Sequence, residues 1–466
     1  MIKKTKKQYV LSSSKLEMND MSCFDFCGGY LYVDAELRLQ QERDKKARNY
    51  LLVDNAFCTD VYPKQVAEDI RNFEGDSLLD LSKNWTGRWL LIRGNELITD
   101  ATGLMSAFYW TRGNEWIISS SLALLAEVLG YPIKDSVQTS GLDWHLLPRT
   151  IMPNVNALFC TQQLRFTNKL EVLPIERFVD KRSLTTEDKI AQVTGRLIVA
   201  LKNIEKYSGR KILIALTAGK DSRLVLASAL SAKVDFSTYT MEHPKMQRAD
   251  RKLPGKMAKK FGFPWTFIKM KAQSKEWSDE YLQFNGGNSK GADIIFYSSG
   301  QPQQLPEDTI VIRSGIFEAG QQYGRRTMGS TMETLREGFF KYYKTSLKAD
   351  GQKEAFEKWE RNAKKYPIPF IDLRDRFYIE QRVNGWVSAI EQALTINDFD
   401  SIQIANCQEL ISLLLAATDD EREDNTLAYR MIEALVPELL KYPVNKQSAI
   451  DKINIIRRAI VKRLFR

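Results

Sequence analysis

The run Lys211-Ile212-Leu213-Ile214-Ala215-Leu216-Thr217-Ala218-Gly219-Lys220-Asp221-Ser222-Arg223-Leu224-Val225-Leu226-Ala227 decides how the chain reads. Its first part is an unbroken apolar run, the pattern of a strand buried on both faces of a parallel sheet. Small residues at Thr217-Ala218-Gly219 break the run. Beyond Ser222 the spacing of Leu224, Val225, Ala227, Ser228 and Leu230 fits a helix packed on that strand. Strand, tight turn and helix start leave backbone N–H groups unpaired and aimed outward, which attracts an anion. Thr217 and Ser222 can add hydroxyls, Lys220 a charge, and Asp221 an oxygen ligand for magnesium. The stretch reads as a phosphate site, the alternative being an ordinary strand–turn–helix with a chance glycine.

Downstream, strand and helix alternate. Val234–Thr240, Trp265–Lys269 and Thr309–Arg313 read as further strands, and a helix over Ala249–Phe261 ends at Gly262. Such alternation predicts a parallel sheet with helices on both faces and a ligand at the carboxyl ends of the strands. Adenine is then expected beside Tyr239, Thr240 and Met241; His243 and Asp250 lie near by, and the sequence assigns neither a role. Upstream, residues 24–175 are β-rich: Gly29–Val33, Trp89–Arg93, Glu96–Asp100, Trp116–Ser120, Ala157–Cys160 and Gln163–Phe166 read as strands. A short helix follows the serines before Ala123, and Thr185 caps another with Ile190, Val193, Ile198 and Leu201 on its apolar face. Farther on, helices are read over Asp372–Trp386, Ile402–Ala416 and Leu427–Leu440.

Whole-chain properties bound the chemistry. At 466 residues the chain should hold two or three domains, and 43% hydrophobic with 27% charged residues suits a globular protein with ample core. No apolar run approaches about 18 residues, so no transmembrane helix is expected. The basic start Met1-Ile2-Lys3-Lys4 is not followed by a signal-peptide core, and a cytoplasmic location is expected. Five scattered cysteines form no disulfide framework, and two histidines argue against a His-rich metal centre or a Ser-His triad. The net charge of +10 sits largely in the two tails, so no nucleic-acid partner is expected. His145 reads as a packed histidine.

Thr217-Ala218-Gly219-Lys220-Asp221-Ser222 resembles the pyrophosphate loop of the asparagine-synthetase type of ATP pyrophosphatase, Ser-Gly-Gly-x-Asp-Ser after a strand. Thr217 stands for the Ser and Ala218 for the first Gly; if that position needs a positive φ, the Ala costs about 1 kcal/mol. Gly87…Asp100-Ala101-Thr102-Gly103…Phe108-Tyr109-Trp110…Trp116-Ile117-Ile118-Ser119-Ser120 is similar to the scaffold of that family's N-terminal glutaminase domain. The resemblance implies an α/β chain: an Ntn-hydrolase-like α+β sandwich, then a PP-loop (adenine-nucleotide α-hydrolase-like) domain with a helical C-terminal part. Expected boundaries are a basic tail at 1–23, the sandwich at 24–180, the PP-loop domain at 185–345, helices at 346–450 and a basic tail at 451–466.

The resemblance also implies roles. Leu216, Thr217, Ala218, Gly219, Asp221, Ser222, Tyr239, Thr240, Met241, Ser314 and Gly315 would hold ATP. Arg313-Ser314-Gly315-Ile316-Phe317-Glu318 resembles the family loop Ser-Gly-x-Gly-x-Asp-Glu, with Phe317 where the metal-binding Asp stands. Mg2+ would then rest on Asp221 and Glu318, and catalysis on Asp221, Lys220, Glu318 and Lys446, the last by analogy with the related β-lactam synthetases. Asp375, Arg376, Glu380 and Arg382 match a family helix that faces the acceptor pocket, and they equally fit helix-face ion pairs. The glutaminase nucleophile, a Cys directly after the start Met, is missing; Cys27-Gly28 would serve only after cleavage.

The implied activity is an AMP-forming amide ligase without its own glutaminase, joining a small-molecule carboxylate to ammonia or an amine. Asparagine formation, lactam or macrolactam closure and amidation of a surface-sugar carboxylate stay open, the last mildly preferred. The other reading is a non-catalytic nucleotide-binding or regulatory module. Ile453, Ile456, Ile460 and Leu464, ringed by basic residues, make the last helix a candidate membrane or partner dock, or a helix packed on its own domain. The oligomeric state does not follow from the sequence.

Overall fold

The computed structural model describes residues 5–444 except 27, 132–141, 143, 244–245, 272–273, 277–283, 285–299, 322–323, 326, 344–350 and 424. Lys446, Cys27 and the basic C-terminal stretch lie outside the described residues.

Twelve strands build the first half: β1 (Tyr9–Ser12), β2 (Met21–Phe26), β3 (Gly29–Asp34), β4 (Leu39–Arg43), β5 (Asn49–Cys58), β6 (Trp85–Arg93), β7 (Glu96–Thr99), β8 (Phe108–Arg112), β9 (Glu115–Ser119), β10 (Val155–Ala157), β11 (Gln162–Phe166) and β12 (Leu170–Pro174). They form two antiparallel sheets, ordered β10-β8-β9-β1-β3-β2 and β12-β11-β7-β6-β5-β4. Alternation assigns their faces. Tyr9, Leu11, Leu31 and Val33 of one sheet meet Val53, Leu90, Ile92 and Leu164 of the other in one core. Trp89 and Leu91 turn outward onto α1 (Val66–Asn72) and α2 (Leu78–Ser82), while Val10 and Tyr32 turn toward α3 (Leu122–Val128). The result is a sandwich with helices on both outer faces.

Two expectations fail here. β1 falls inside the stretch read as a basic tail, yet it runs between β9 and β3. Its neighbours Lys6 and Lys7 are not tail charges: Lys6 Nζ reaches Asp398, and Lys7 Nζ donates to the Phe399 carbonyl at 2.9 Å.

α4 (Thr186–Tyr207), capped by Thr185, leads to the parallel sheet β15-β14-β13-β16-β17. Its strands are β13 (Lys211–Ala215), β14 (Phe236–Met241), β15 (Trp265–Ile268), β16 (Thr309–Arg313) and β17 (Asp400–Gln403). α5 (Lys220–Ala232) and α6 (Arg248–Phe261) are its crossovers, and α6 ends at Gly262 with φ +76°, a conformation open to glycine. β17 replaces the start of the helix expected from Ile402. Residues Asp400–Gln403 pair in parallel with Ile310–Arg313, and the helix begins only at Gln408. Order reverses between β13 and β16, so a crevice opens at their carboxyl ends.

α7 (Met332–Tyr342), α8 (Gln352–Lys365) and α9 (Leu373–Phe377) follow, then a π-helical stretch Tyr378–Val387, α10 (Ser388–Leu394), α11 (Gln408–Leu415), α12 (Asp419–Glu423) and α13 (Thr426–Leu435). Pro437 stops α13 short of the predicted Leu440 and starts a separate 3-10 turn. The halves lock through buried polar bonds: Asn406 accepts from Thr102 N at 3.0 Å and donates to Asp100 at 2.8 Å, and Asn384 accepts from Cys160 N at 2.7 Å. No helix among the described residues is long and apolar enough to cross a membrane.

Candidate active site

The turn Leu216–Ser222 lies at the crevice and is built from its own side chains. Ser222 Oγ accepts the Thr217 N–H at 3.1 Å and sits 3.0 Å from Thr217 Oγ1, which accepts the Gly219 N–H at 3.0 Å. Gly219 caps α5 with φ −71°, and neither Ala218 nor Gly219 has a positive φ. The strain foreseen for Ala218 is therefore absent, and its methyl group is fully buried. Arg223, also fully buried, donates to the Ala218 carbonyl at 2.9 Å and to the carbonyls of Leu439 (3.1 Å) and Tyr442 (2.7 Å). It fastens the turn to the chain's last described residues.

Two members came from outside the motif. Asp250, in the first turn of α6, accepts the Ala218 N–H at 2.9 Å, so a carboxylate holds one of the donors that the turn offers to an anion. Gln321 donates to Asp221 at 2.7 Å. Nothing local in the sequence marks either; only the approach of distant segments does.

Asp221 and Glu318 share the crevice. Burial pushes the Asp221 carboxyl up, against the pull of Lys220, whose Nζ is 3.7 Å away, and of Gln321. Surrounding protein pushes Glu318 up as well, the Asp221 charge adds to the rise, and Arg382 and Lys220 oppose it. Glu318 is nonetheless open to solvent, and its carboxylate has no hydrogen bond or ion pair among the described residues. Two such carboxylates, one unpartnered and both raised, are hard oxygen donors that a divalent cation would relieve, so the pair fits Mg2+. Among the described residues no three metal-binding side chains form a cluster. Phe317, where the resemblance places an Asp, is a core residue.

The loop after β16 is held from both sides. Gly315 N donates to Gln403 Oε1 at 2.7 Å, Gln403 Nε2 donates to Glu391 at 2.8 Å, and Tyr378 Oη donates to the Gly315 carbonyl at 3.0 Å. Ser314 is half-buried and Gly315 exposed. In the π-helical stretch the turn is wider than in an α-helix, so residues four to five apart share a face. Tyr378 and Arg382 do so, and both feel the Glu318 charge or oppose it. Arg382 stacks on Trp386, 3.4 Å from its ring centre, and stands 5.3 Å from that of Trp144; among the described residues it has no carboxylate partner.

Other expected residues are placed differently. Asp375 is buried between Arg325 (2.7 Å) and Arg422 (3.1 Å), and Arg422 donates to the Ala319 carbonyl at 2.9 Å; Asp375 thus supports the Glu318 loop from beneath. Arg376 and Glu380 form a buried pair at 3.2 Å, completed by Thr161, by Trp359 (2.7 Å) and by the Ala363 and Tyr366 carbonyls. All three residues thus stand in buried ion pairs, the arrangement that the helix-face reading describes. Tyr239 is packed in the core, and the Thr240 hydroxyl is consumed by the Leu216 carbonyl (2.7 Å) and Trp265 Nε1 (2.9 Å). Of the three residues expected beside adenine, only Met241 stays half-buried rather than buried.

No family model and no curated protein matches the chain. Similar solved structures include NMN synthetase from Francisella tularensis (11% identity, 43% of this chain, 95% of that chain, TM-score 0.23). Another is the glutamine-dependent NAD+ synthetase from Acinetobacter baumannii in complex with ADP (16%, 44% and 40%, TM-score 0.21). A third is the glutamine phosphoribosylpyrophosphate amidotransferase from B. subtilis complexed with ADP and GMP (10%, 72% and 74%, TM-score 0.22). Likenesses this distant carry no argument about activity, which rests on the chain's own residues.

Proposed function

We propose that the chain is an ATP-dependent, AMP-forming carbon–nitrogen ligase of the asparagine synthase type, without glutaminase activity of its own. The observation that carries this reading is the Thr217–Ser222 turn at the sheet's switch point, with Asp221 and Arg382 both near enough to act on the Glu318 charge. Backbone N–H groups of the turn, Thr217, Ser222 and Lys220 would hold the β- and γ-phosphates of ATP. Mg2+, held by Asp221 and Glu318, would supply charge stabilisation for the departing pyrophosphate. Arg382 would bind the substrate carboxylate. One oxygen of that carboxylate attacks the α-phosphorus, the bond to the β-phosphate oxygen breaks, and pyrophosphate leaves. Ammonia or an amine then attacks the acyl carbon, loses a proton and expels AMP. Lys446 is a further candidate for neutralising pyrophosphate.

Phe317 favours a second reading, a nucleotide-binding module without catalysis, because an apolar ring fills the position of a metal ligand. Pyrophosphate release with a panel of carboxylates and ammonia separates the two. Release that is lost in Asp221→Ala, with the fold retained, supports the ligase. ATP binding with no release across the panel supports the module.

A further inference from the structure

The loop after β16 carries Glu318, and one buried side chain fixes where that loop starts. Gly315 follows the carboxyl end of β16, the neighbour of β13 in the sheet. Three residues on stands Glu318, near enough to Asp221 to feel its charge. Gly315 has no positive φ, so its backbone does not call for a glycine. Space does: a Cβ there would come within 3.2 Å of Gln403 Oε1 and 3.5 Å of its Nε2, and would fit only if the amide gave way.

Gln403 is 1% exposed, and the chemistry of its neighbours sets which way its amide points. The Glu391 carboxylate can only accept, so it takes the Nε2 hydrogen at 2.8 Å and leaves Oε1 to the Gly315 N–H at 2.7 Å. Glu391 is buried too, and Arg313 fixes it at 3.0 Å. The sandwich in turn holds β17, the strand that bears Gln403. Thr86 donates to the Ile404 carbonyl at 2.7 Å, Lys7 to that of Phe399 at 2.9 Å, and Asn406 to that of Gly87 at 2.6 Å. At the far end of the loop Arg422 donates to the carbonyls of Ala319 (2.9 Å) and Gln321 (3.3 Å). Between these ends Phe317 packs in the core and the Ala319 N–H closes a turn on the Ile316 carbonyl at 3.0 Å. The backbone of Glu318 therefore goes where the two ends of its loop are held.

We propose that Gln403 is a positioning residue for the metal-binding part of the crevice: acting through Gly315, it sets the loop so that Glu318 and Asp221 meet the same divalent cation. The proposal rests on the ligase reading, and it gives the sandwich a part in nucleotide binding, as the frame that holds β17. Supports behind a metal ligand are worth about 10–100-fold in metal affinity.

Calorimetric titration of the full chain with ATP at about 1 mM and about 50 mM Mg2+, at constant ionic strength, tests it. Gln403→Met keeps the side-chain volume and removes both hydrogen bonds. It should weaken ATP binding about tenfold or more at the lower Mg2+ concentration and bind within about twofold of wild type at the higher, because mass action refills a weakened metal site. A defect of packing alone would not respond to Mg2+. Gly315→Ala crowds the same bond from an exposed position and should show the same pattern, which keeps the test valid if Gln403→Met does not fold. With wild type binding ATP, unchanged affinity in the variant or a loss that Mg2+ does not relieve overturns the proposal. Wild type that binds no ATP at either Mg2+ concentration overturns the ligase reading, and this proposal with it.

Discussion

Asp250 Oδ1 accepts the Ala218 N–H at 2.9 Å, linking the first turn of α6 to the phosphate-facing turn. The bond is the turn's one tie to α6 among the bonds named above, and a charge-assisted bond of this kind contributes about 1.5–3 kcal/mol. Asp250→Ala is expected to loosen the turn and weaken ATP binding by about tenfold or more. Asp250→Asn keeps an acceptor in place and should bind ATP within a few-fold of wild type. Calorimetric ATP titration of both variants reads the difference; equal losses in the two would assign the effect to charge instead of position.

Arg382 presents a cation with no carboxylate partner among the described residues, held flat against Trp386. A stacked guanidinium is not replaced by an ammonium. Under the ligase reading, Arg382→Lys should raise KM for the carboxylate at least tenfold while the Kd for ATP stays unchanged. A change confined to ATP affinity would place Arg382 on the nucleotide instead.

How much of this was legible follows from the range of each signal. The strand β13, the turn and α5 declare themselves within seventeen residues, so Lys220, Asp221 and Ser222 were identifiable. Asp250, Gln321 and Gln403 act across 32, 100 and 88 residues of chain, and each is an ordinary polar residue where it stands. β1 was hidden by the lysines that precede it, Lys6 and Lys7, which read as a solvated tail until Asp398 and Phe399 appear opposite them. β17 is hidden by composition: Asp400-Ser401-Ile402-Gln403 has one apolar residue, and only pairing with β16 makes it a strand. Arg376 and Glu380 were visible as an i,i+4 pair; that the pair is buried shows only in the fold.

Glu318 offers a test with a defined pH sign. Its pKa is higher folded than unfolded, so its ionised form costs stability once the pH exceeds the unfolded value, and the full cost is felt above the folded one. Glu318→Gln should therefore melt at a higher temperature than wild type at pH 7. The gap should close as acid protonates the wild-type carboxyl. Added Mg2+ with nucleotide should stabilise wild type and not the variant. A variant less stable than wild type at neutral pH would contradict the assignment.

His145 works in the opposite direction. Burial, aided by Arg149, lowers its pKa to about 3, and neither ring nitrogen has a hydrogen-bond partner among the described residues. Above the usual histidine range both folded and unfolded rings are neutral. As pH falls from about 6.5 toward 3, the unfolded chain gains a proton that the folded chain refuses, and stability drops by up to about 1.4 kcal/mol per pH unit. His145→Leu should flatten that part of the curve in urea unfolding between pH 7 and pH 5. Curves of equal slope would show that the ring titrates normally in the folded protein.

Glu380 is fully buried, and both of its oxygens lie 3.2 Å from Arg376 Nε. Thr161 and Trp359 donate to the same carboxylate. Neutralising it leaves the Arg376 guanidinium uncompensated where only the Ala363 and Tyr366 carbonyls remain. Breaking a buried pair from one side costs about 3–5 kcal/mol, because the surviving charge keeps its desolvation penalty. Glu380→Gln should lose that much in urea unfolding, whereas Glu380→Leu paired with Arg376→Met should recover most of it, since an apolar pair leaves no charge behind. Neither change should alter KM for a carboxylate substrate in protein that stays folded. A raised KM at undiminished stability would move this pair from the packing of the π-helical stretch to the acceptor pocket.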